Sequence, residues 1–244
     1  MIKRSVPLTL TARRPPSLLP IGAPSKRIAL LGNSHAGQWL PALEILAKKY
    51  GWQVDTYIVG VCVPTRALSP FEGGMAGLTK VELTDKCQQV ESQTLDAVAR
   101  GRYDAVVMSL QDRDHRVTVA DYVATLRSLV ESREKVLVIR DTPSPMDTNN
   151  LSPADCVGVN MANVDACSGD PARWIGVDPL TEVALRLNSA SVRVVGVNQY
   201  LCAKTCPAVI GGVIVYSDYN HLTATMVKSL TPYIEPSLVT LLAS

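Results

Sequence analysis

Five short apolar runs alternate along this chain with segments of helical periodicity, and this alternation constrains the fold more than any other feature. The runs predict buried strands, and they comprise residues 27–32, 53–60, 103–110, 135–141 and 191–198. The segments between them place apolar residues three and four positions apart, as amphipathic helices do. Strands that alternate with helices build parallel sheets. The sequence therefore predicts an α/β fold, with five parallel strands in one doubly wound sandwich.

Two long segments without periodicity interrupt this alternation. The predicted helices comprise residues 35–50, 89–100, 119–132, 171–188 and a last one from about residue 222. Residues 62–86 and 142–170 are rich in loop-forming residues, and the second predicts an excursion over the sheet edge. A hairpin or strand is predicted at residues 213–216. Because ligands bind at the carboxyl ends of strands in such sheets, candidate site residues should directly follow strands.

Residues 1–26 differ in character from the rest of the chain. They contain five prolines and basic residues near both ends, and they predict a linker or extension ahead of one domain at residues 27–244. Proline, threonine and arginine interrupt the apolar run that a secretion signal requires. No stretch approaches the roughly 20 apolar residues of a membrane helix, which predicts a soluble chain.

Composition narrows the classes of function. Hydrophobic residues make up 47% of the chain and charged residues 19%, which favours a packed core over disorder. A net charge of +2 and 5% aromatic residues argue against a nucleic-acid partner. The three histidines are not spaced as metal ligands, and no phosphate-binding motif follows Gly32. We therefore expect neither a metal nor another cofactor.

Six cysteines fall as three sequential pairs. These are Cys62 with Cys87, Cys156 with Cys167, and Cys202 with Cys206. None forms a CxxC motif, and the segments between partners have the composition of loops, which suits disulfides. The alternative is six buried thiols in a cytosolic protein. Disulfides would make the domain extracytoplasmic, and the missing signal then predicts export as part of a larger protein.

Ser34 lies where the first predicted strand meets a helix, in the sequence Gly32-Asn33-Ser34-His35. A serine at such a turn presents its hydroxyl at the carboxyl edge of the sheet, which suits a nucleophile. The alternative is that Ser34 only caps the helix.

Asp218 and His221 lie just before the last predicted helix. A serine hydroxyl needs an imidazole to accept its proton and a carboxylate to hold that imidazole in the correct tautomer. Residues three positions apart can supply both groups from one turn. The alternatives are an N-cap for Asp218 and a surface position for His221. We expect His35 and His115 to be structural or solvent-facing, with His35 directed away from the nucleophile.

These two motifs together resemble the SGNH (GDSL-like) hydrolase superfamily, and most closely the SGNH domain fused behind the membrane domain of acyltransferase family 3 proteins. The resemblance rests on GNSHAGQWLPAL, the Gly-x-Cys-x-Pro segment from Gly60 to Pro64, the cysteine pairs and YSDYNHLT, and it extends from about residue 27 to the C-terminus. It implies a three-layer, flavodoxin-like α/β/α sandwich. It also implies a catalytic triad of Ser34, His221 and Asp218.

The resemblance further implies an oxyanion hole formed by the serine amide, a glycine after strand two and an asparagine after strand three. Ser34 and Gly60 match the first two positions. The segment after strand three has no Gly-x-Asn-Asp motif, so Gln111 or Arg113 is left as a substitute, with surface polar roles as the alternative for both. Asn33 also stands where the family usually has aspartate. Losing one donor costs about 10²–10³ in rate, so a weaker enzyme or a substitute donor is expected.

Three functions are compatible with these residues. The first is an O-acyltransferase domain at the periplasm or cell envelope that transfers an acyl group, such as acetyl, through an acyl-serine to a hydroxyl of a glycan or glycolipid. Its partner would be a membrane acyltransferase domain fused N-terminally in the parent protein, which would tether it. The second is a carbohydrate acetyl esterase with the same triad. The third is a catalytically silent glycan-binding or scaffolding module.

Overall fold

The computed structural model describes residues 23–75, 77–112, 116–132, 134–145 and 151–243. Its main sheet has five parallel strands in the order β2-β1-β3-β4-β5. The strands are β1 (Lys26–Gly32), β2 (Trp52–Ile58), β3 (Ala105–Ser109), β4 (Val136–Ile139) and β5 (Val192–Val195). The predicted parallel α/β sheet is confirmed. Residues 1–22 of the predicted linker lie outside the described residues.

Helices cover both faces of this sheet. The described helices are α1 (Ser34–Gly37), α2 (Leu40–Tyr50), α3 (Lys80–Gly101), α4 (Val119–Glu131), α5 (Pro153–Val159), α6 (Pro171–Trp174), α7 (Pro179–Leu187), α8 (Asn198–Leu201) and α9 (Ala224–Ala243). On β1, Ile28 and Leu30 pack in the core formed with α2 and α9. Ala29 and Leu31 point to the opposite face and pack with α3, α4 and α7. The three layers follow from this alternation.

Several boundaries differ from the prediction for local reasons. The helix predicted at 35–50 is divided into α1 and α2, with Pro41 in the first turn of α2. Helix α3 begins at Lys80 because Thr79 and Glu82 form a capping box, so the loop predicted to extend to residue 86 is shorter. The irregular segment 142–170 contains α5, and Pro179 begins α7 as a helix separate from α6.

The C-terminal part contains the predicted hairpin and last helix. Strands β6 (Val209–Ile210) and β7 (Val213–Ile214) pair antiparallel, and α9 follows. Within the described ranges, no helix is long and apolar enough to cross a bilayer.

All six cysteines form disulfides in the predicted pairs, with distances between Cα atoms of 5.4, 5.8 and 4.2 Å in chain order. The alternative of six free thiols is therefore wrong. Cys62 lies shortly after β2 and Cys87 lies in α3, so this bond fastens the segment after β2 to the helical layer. The same segment contains Gly60.

Strands β1 and β3 approach closely at their carboxyl ends. Gly32 has a φ of +148°, and a Cβ at this position would come within 2.0 Å of the Ser109 carbonyl oxygen. Only glycine allows the two strand ends to pack in this way. The residues that follow, Asn33 and Gln111, are therefore held side by side at the sheet edge.

One buried carboxyl group predicts how stability depends on pH. Glu91 is 1% exposed and its carboxyl oxygens have no hydrogen-bond partner among the described residues. Burial raises the pKa of Glu91 to about 8. Between the ordinary pKa of 4.5 and this value, the folded state binds more protons than the unfolded state. The free energy of unfolding therefore falls as pH rises through this window.

We expect Glu91→Gln to flatten this dependence and to raise the free energy of unfolding at pH 8 by on the order of 3 kcal/mol, since one pH unit is worth about 1.4 kcal/mol. Urea denaturation at pH 5 and pH 8 would measure the change. Burial also raises the pKa of Glu134 to about 7, so a shallower slope should remain in the variant. Equal slopes for the wild type and the variant would contradict the assignment.

Candidate active site

The turn after β1 is fastened by Asn33. Its Oδ1 accepts hydrogen bonds from the His35 amide (3.1 Å) and the Gln111 amide (3.3 Å), and its Nδ2 donates to the Gln111 carbonyl oxygen (2.9 Å). Asn33 is therefore the N-cap of α1, and the alternative reading of Ser34 as that cap is wrong. An aspartate could not donate the hydrogen bond to the Gln111 carbonyl oxygen. This bond is a structural reason for asparagine rather than aspartate at this position.

Ser34 follows Asn33 and is partly buried at the carboxyl edge of the sheet. Its amide donates a hydrogen bond to the Gly60 carbonyl oxygen at 2.9 Å. The amide was expected to be an oxyanion donor, but in this arrangement its hydrogen is already engaged. Gly60 itself has a φ of +20°, and its own amide makes no hydrogen bond within the described residues. Of the two expected backbone donors, the amide of Gly60 is the unengaged one.

Asp218 and His221 form a hydrogen-bonded pair in the loop between β7 and α9. Asp218 Oδ1 accepts from the amides of Asn220 (2.9 Å) and His221 (2.8 Å), and Oδ2 lies 2.9 Å from His221 Nδ1. Partial burial raises the pKa of Asp218, but the hydrogen bonds from Asn220 and His221 outweigh it and leave the pKa below its ordinary value. Asp218 is thus ionised at neutral pH. Neither residue belongs to α9, which begins at Ala224.

The two distant ends of the chain meet at this edge. The ring centroids of His35 and His221 lie 4.8 Å apart. Gln38 Oε1 accepts a hydrogen bond from the Leu222 amide at 2.9 Å. The turn that carries Ser34 and the loop that carries Asp218 and His221 are therefore in direct contact. His221 Nε2 is buried and has no hydrogen-bond partner among the described residues. It therefore makes no hydrogen bond to Ser34 in this arrangement.

Gln111 links the same two ends from the end of β3. Its Nε2 donates to Ser144 Oγ at 2.6 Å, and its Oε1 accepts from Asn220 Nδ2 at 3.1 Å. The side chain is half-buried between the nucleophile turn and the histidine loop rather than on the open surface. Of the two candidates for a side-chain oxyanion donor, Gln111 is the one that lies within the described residues. Arg113 and His115 lie outside the described residues.

Two features of the site were not expected from the sequence. His35 is 1% exposed and contacts His221, so the expectation that it points away from the site is wrong. Its Nδ1 lies 2.6 Å from Asp141 Oδ1. In addition, Arg116 donates to the Val61 carbonyl oxygen at 2.8 Å and so fixes the peptide next to Gly60. A partly buried position for Arg116 was not indicated by any pattern in the sequence.

In the part of the chain that the structure describes, no group of three or more histidine, cysteine or acidic side chains is arranged to hold a metal. The arrangement instead suits acyl chemistry by a hydroxyl. It combines an edge serine, an imidazole with a carboxylate partner, and an unengaged glycine amide beside them.

Of the three known structures compared below, the first is similar enough to show the same fold. The periplasmic domain of a lipopolysaccharide acetyltransferase from Salmonella ser. Paratyphi A aligns with a TM-score of 0.63 and 13% identity, over 90% of this chain and 85% of that one. A putative acylhydrolase from Bacteroides fragilis aligns with a TM-score of 0.47 and 13% identity, over 91% and 92%. An acetyl xylan esterase aligns with a TM-score of 0.48 and 13% identity, over 87% and 99%.

Comparison of the sequence with curated proteins finds no match. The family model described as "SGNH domain (fused to AT3 domains)" matches residues 9–236, which is most of the chain. The five-stranded parallel sheet agrees with this match. The chain belongs to the family of SGNH domains that are fused to AT3 domains.

Proposed function

We propose that this chain is an extracytoplasmic O-acyltransferase domain that transfers an acetyl or similar acyl group through an acyl-serine intermediate to a hydroxyl of a cell-envelope glycan or glycolipid. The observation that carries the proposal is the contact between the Ser34 turn and the His221 loop, in which His35, next to Ser34, packs on the His221 ring. This contact supports a single site, at the carboxyl edge of the sheet, for the hydroxyl of Ser34 and the imidazole of His221.

In the first half-reaction, Ser34 Oγ attacks the carbonyl carbon of the acyl donor while His221 Nε2 accepts the hydroxyl proton. Asp218 stays ionised and stabilises the imidazolium that forms. The negative oxygen of the tetrahedral intermediate receives hydrogen bonds from the Gly60 amide and the Gln111 side chain. The intermediate collapses when the donor's leaving group departs with the proton from His221, and the acyl group remains as an ester on Ser34.

In the second half-reaction, the acceptor hydroxyl takes the place of the leaving group. His221 removes its proton, the acceptor oxygen attacks the acyl-serine, and Ser34 Oγ regains the proton as it leaves. The fusion of the family to AT3 domains supports a membrane acyltransferase domain as the source of the acyl group. The three disulfides support an oxidising compartment outside the cytoplasm.

Hydrolysis is the second candidate function, and the exposure of the histidine loop favours it. The side chains of Asp218 and His221 are 47% and 26% exposed, so water has access to the loop that carries the proposed base. The same groups then act as an acetyl esterase, with water in place of the acceptor hydroxyl.

Incubation with a chromogenic acetyl ester and a cell-envelope oligosaccharide, followed by mass spectrometry of the oligosaccharide, tests the proposal. We expect acetylated oligosaccharide to form with the wild type and not with Ser34→Ala. Free acetate without acetylated oligosaccharide would favour the esterase. If the wild type releases no more acetyl than Ser34→Ala, both enzymatic functions fail, and a silent binding module is left.

A further inference from the structure

A second histidine–aspartate pair lies directly behind His221. His35 is buried in α1, and its Nδ1 is 2.6 Å from Asp141 Oδ1. The pair has the same form as His221 with Asp218, since in both the carboxylate holds Nδ1 and leaves Nε2 without a partner among the described residues. The two imidazoles contact each other at a tilt of 45°.

Asp141 is held by three elements of the fold. It follows β4, and its amide donates to Asp178 Oδ2 at 2.9 Å. Its Oδ1 accepts from the Thr142 amide at 2.9 Å, and its carbonyl oxygen accepts from Asn198 Nδ2 at 3.0 Å. The carboxylate is therefore fixed at the end of the sheet, and it fixes the His35 ring in turn.

The loop that carries His221 is partly exposed. Asp218 is 47% exposed, so water screens its charge. The ring of His221 is partly buried, and the ring of His35 packs against it. A fixed imidazole on one side and a fixed carboxylate behind it give His221 a support that is independent of the Asp218 loop.

We propose that His35 and Asp141 are positioning residues that hold the His221 ring toward Ser34. This inference rests on the proposed function of His221 as a general base. When His221 accepts the proton from Ser34, its ring must already have the correct orientation, and the contact with the fixed His35 ring supports that orientation. An imidazole that is held in place before the reaction lowers the entropic cost of reaching the transition state.

Four titratable side chains surround the His221 ring, either in contact with it or behind a residue that contacts it. Asp218 lies on its own loop, His35 on α1, Asp141 after β4, and Asp178 at the N-cap of α7 behind Asp141. Burial raises the pKa of Asp178, although its hydrogen bonds to Thr181 and Asp141 oppose the rise. Asp141 therefore acts on His221 through the His35 ring.

Asp141→Asn tests the inference because asparagine keeps the shape and an acceptor oxygen for His35 and Thr142 while it removes the charge. In ester hydrolysis we expect kcat to fall roughly 5- to 20-fold with KM nearly unchanged. A loss in kcat without a change in KM separates positioning of the base from weaker substrate binding. Asp96→Asn, which removes an exposed carboxylate on α3, should leave kcat and KM unchanged.

His35→Asn provides a second variant, because its Nδ2 can still donate to Asp141 but no ring supports His221. We expect kcat to fall in this variant as well, with the midpoint of urea unfolding showing that the protein is folded. Unchanged kcat in both folded variants would overturn the inference while leaving the proposed function intact. A wild type that neither cleaves the ester nor reacts at Ser34 with a serine-directed phosphonate would instead overturn the proposed function.

Discussion

Ser34→Ala is expected to lower kcat/KM for acetyl-ester cleavage by about 10⁴-fold or more, the scale seen when the nucleophile of a serine triad is removed. In the proposed mechanism the hydroxyl is the group that becomes acylated, and the neighbouring residues cannot replace it. His35 and Asn33 are both engaged, with Asp141 and with Gln111 respectively. The methyl group of alanine fits the space of the serine side chain, so the fold should be retained.

Ser132→Ala is the matched control for this variant. Ser132 is exposed at the end of α4, which precedes β4 and therefore lies at the opposite edge of the sheet. Initial rates of chromogenic acetyl-ester cleavage should be equal for the wild type and Ser132→Ala. A Ser34→Ala variant that retains more than about a tenth of the wild-type rate would show that another group carries the reaction.

Asp218→Asn is expected to lower kcat by about 10³–10⁴-fold through the tautomer of His221. Asp218 Oδ1 accepts from the amides of Asn220 and His221, so the amide oxygen of asparagine takes that position. Its NH₂ group then faces His221 Nδ1, which must become an acceptor. Nε2 would carry the proton and could not accept one from Ser34.

The hydrogen bonds that hold the loop are kept in Asp218→Asn, so the loss should appear in kcat rather than in stability. Steady-state kinetics and urea unfolding on the same samples would separate the two effects. Asp165→Asn alters an exposed aspartate in the excursion between α5 and α6 and serves as the control. A reduction of less than tenfold in Asp218→Asn would contradict the assigned role of the carboxylate.

The parallel sheet could be predicted from the sequence because each strand and helix is encoded locally. Residues 27–32 are continuously apolar apart from Arg27, as expected for a strand covered on both faces. Element boundaries were less predictable where capping decides them. The start of α3 depends on Thr79 and Glu82, whose reciprocal hydrogen bonds extend the helix beyond its apolar pattern.

The parts of the site that are local in sequence could also be predicted. Ser34 follows a strand directly, and Asp218 and His221 are close enough to pair within one turn. The pairing of His35 with Asp141 joins residues 106 positions apart, and the bond of Leu222 to Gln38 joins residues 184 positions apart. Such contacts depend on the order and register of the strands, which no local pattern specifies.

The backbone around Ser34 was likewise beyond sequence reasoning. The values of φ and ψ in the turn decide whether a backbone amide meets a carbonyl oxygen or is left without a partner. The Ser34 amide donates to the Gly60 carbonyl oxygen, so the oxyanion donor expected from the family pattern is engaged, while the amide of Gly60 has no partner among the described residues. Only the three-dimensional arrangement distinguishes these two peptides.

Covalent labelling by a serine-directed phosphonate tests most directly whether Ser34 is a nucleophile activated by His221. The account predicts one phosphonyl group per wild-type chain, located by peptide mass spectrometry on the segment that contains Ser34. It predicts no labelling of Ser34→Ala and, over the same period, negligible labelling of His221→Gln. A label on a different residue, or equal labelling of His221→Gln and the wild type, would contradict the account.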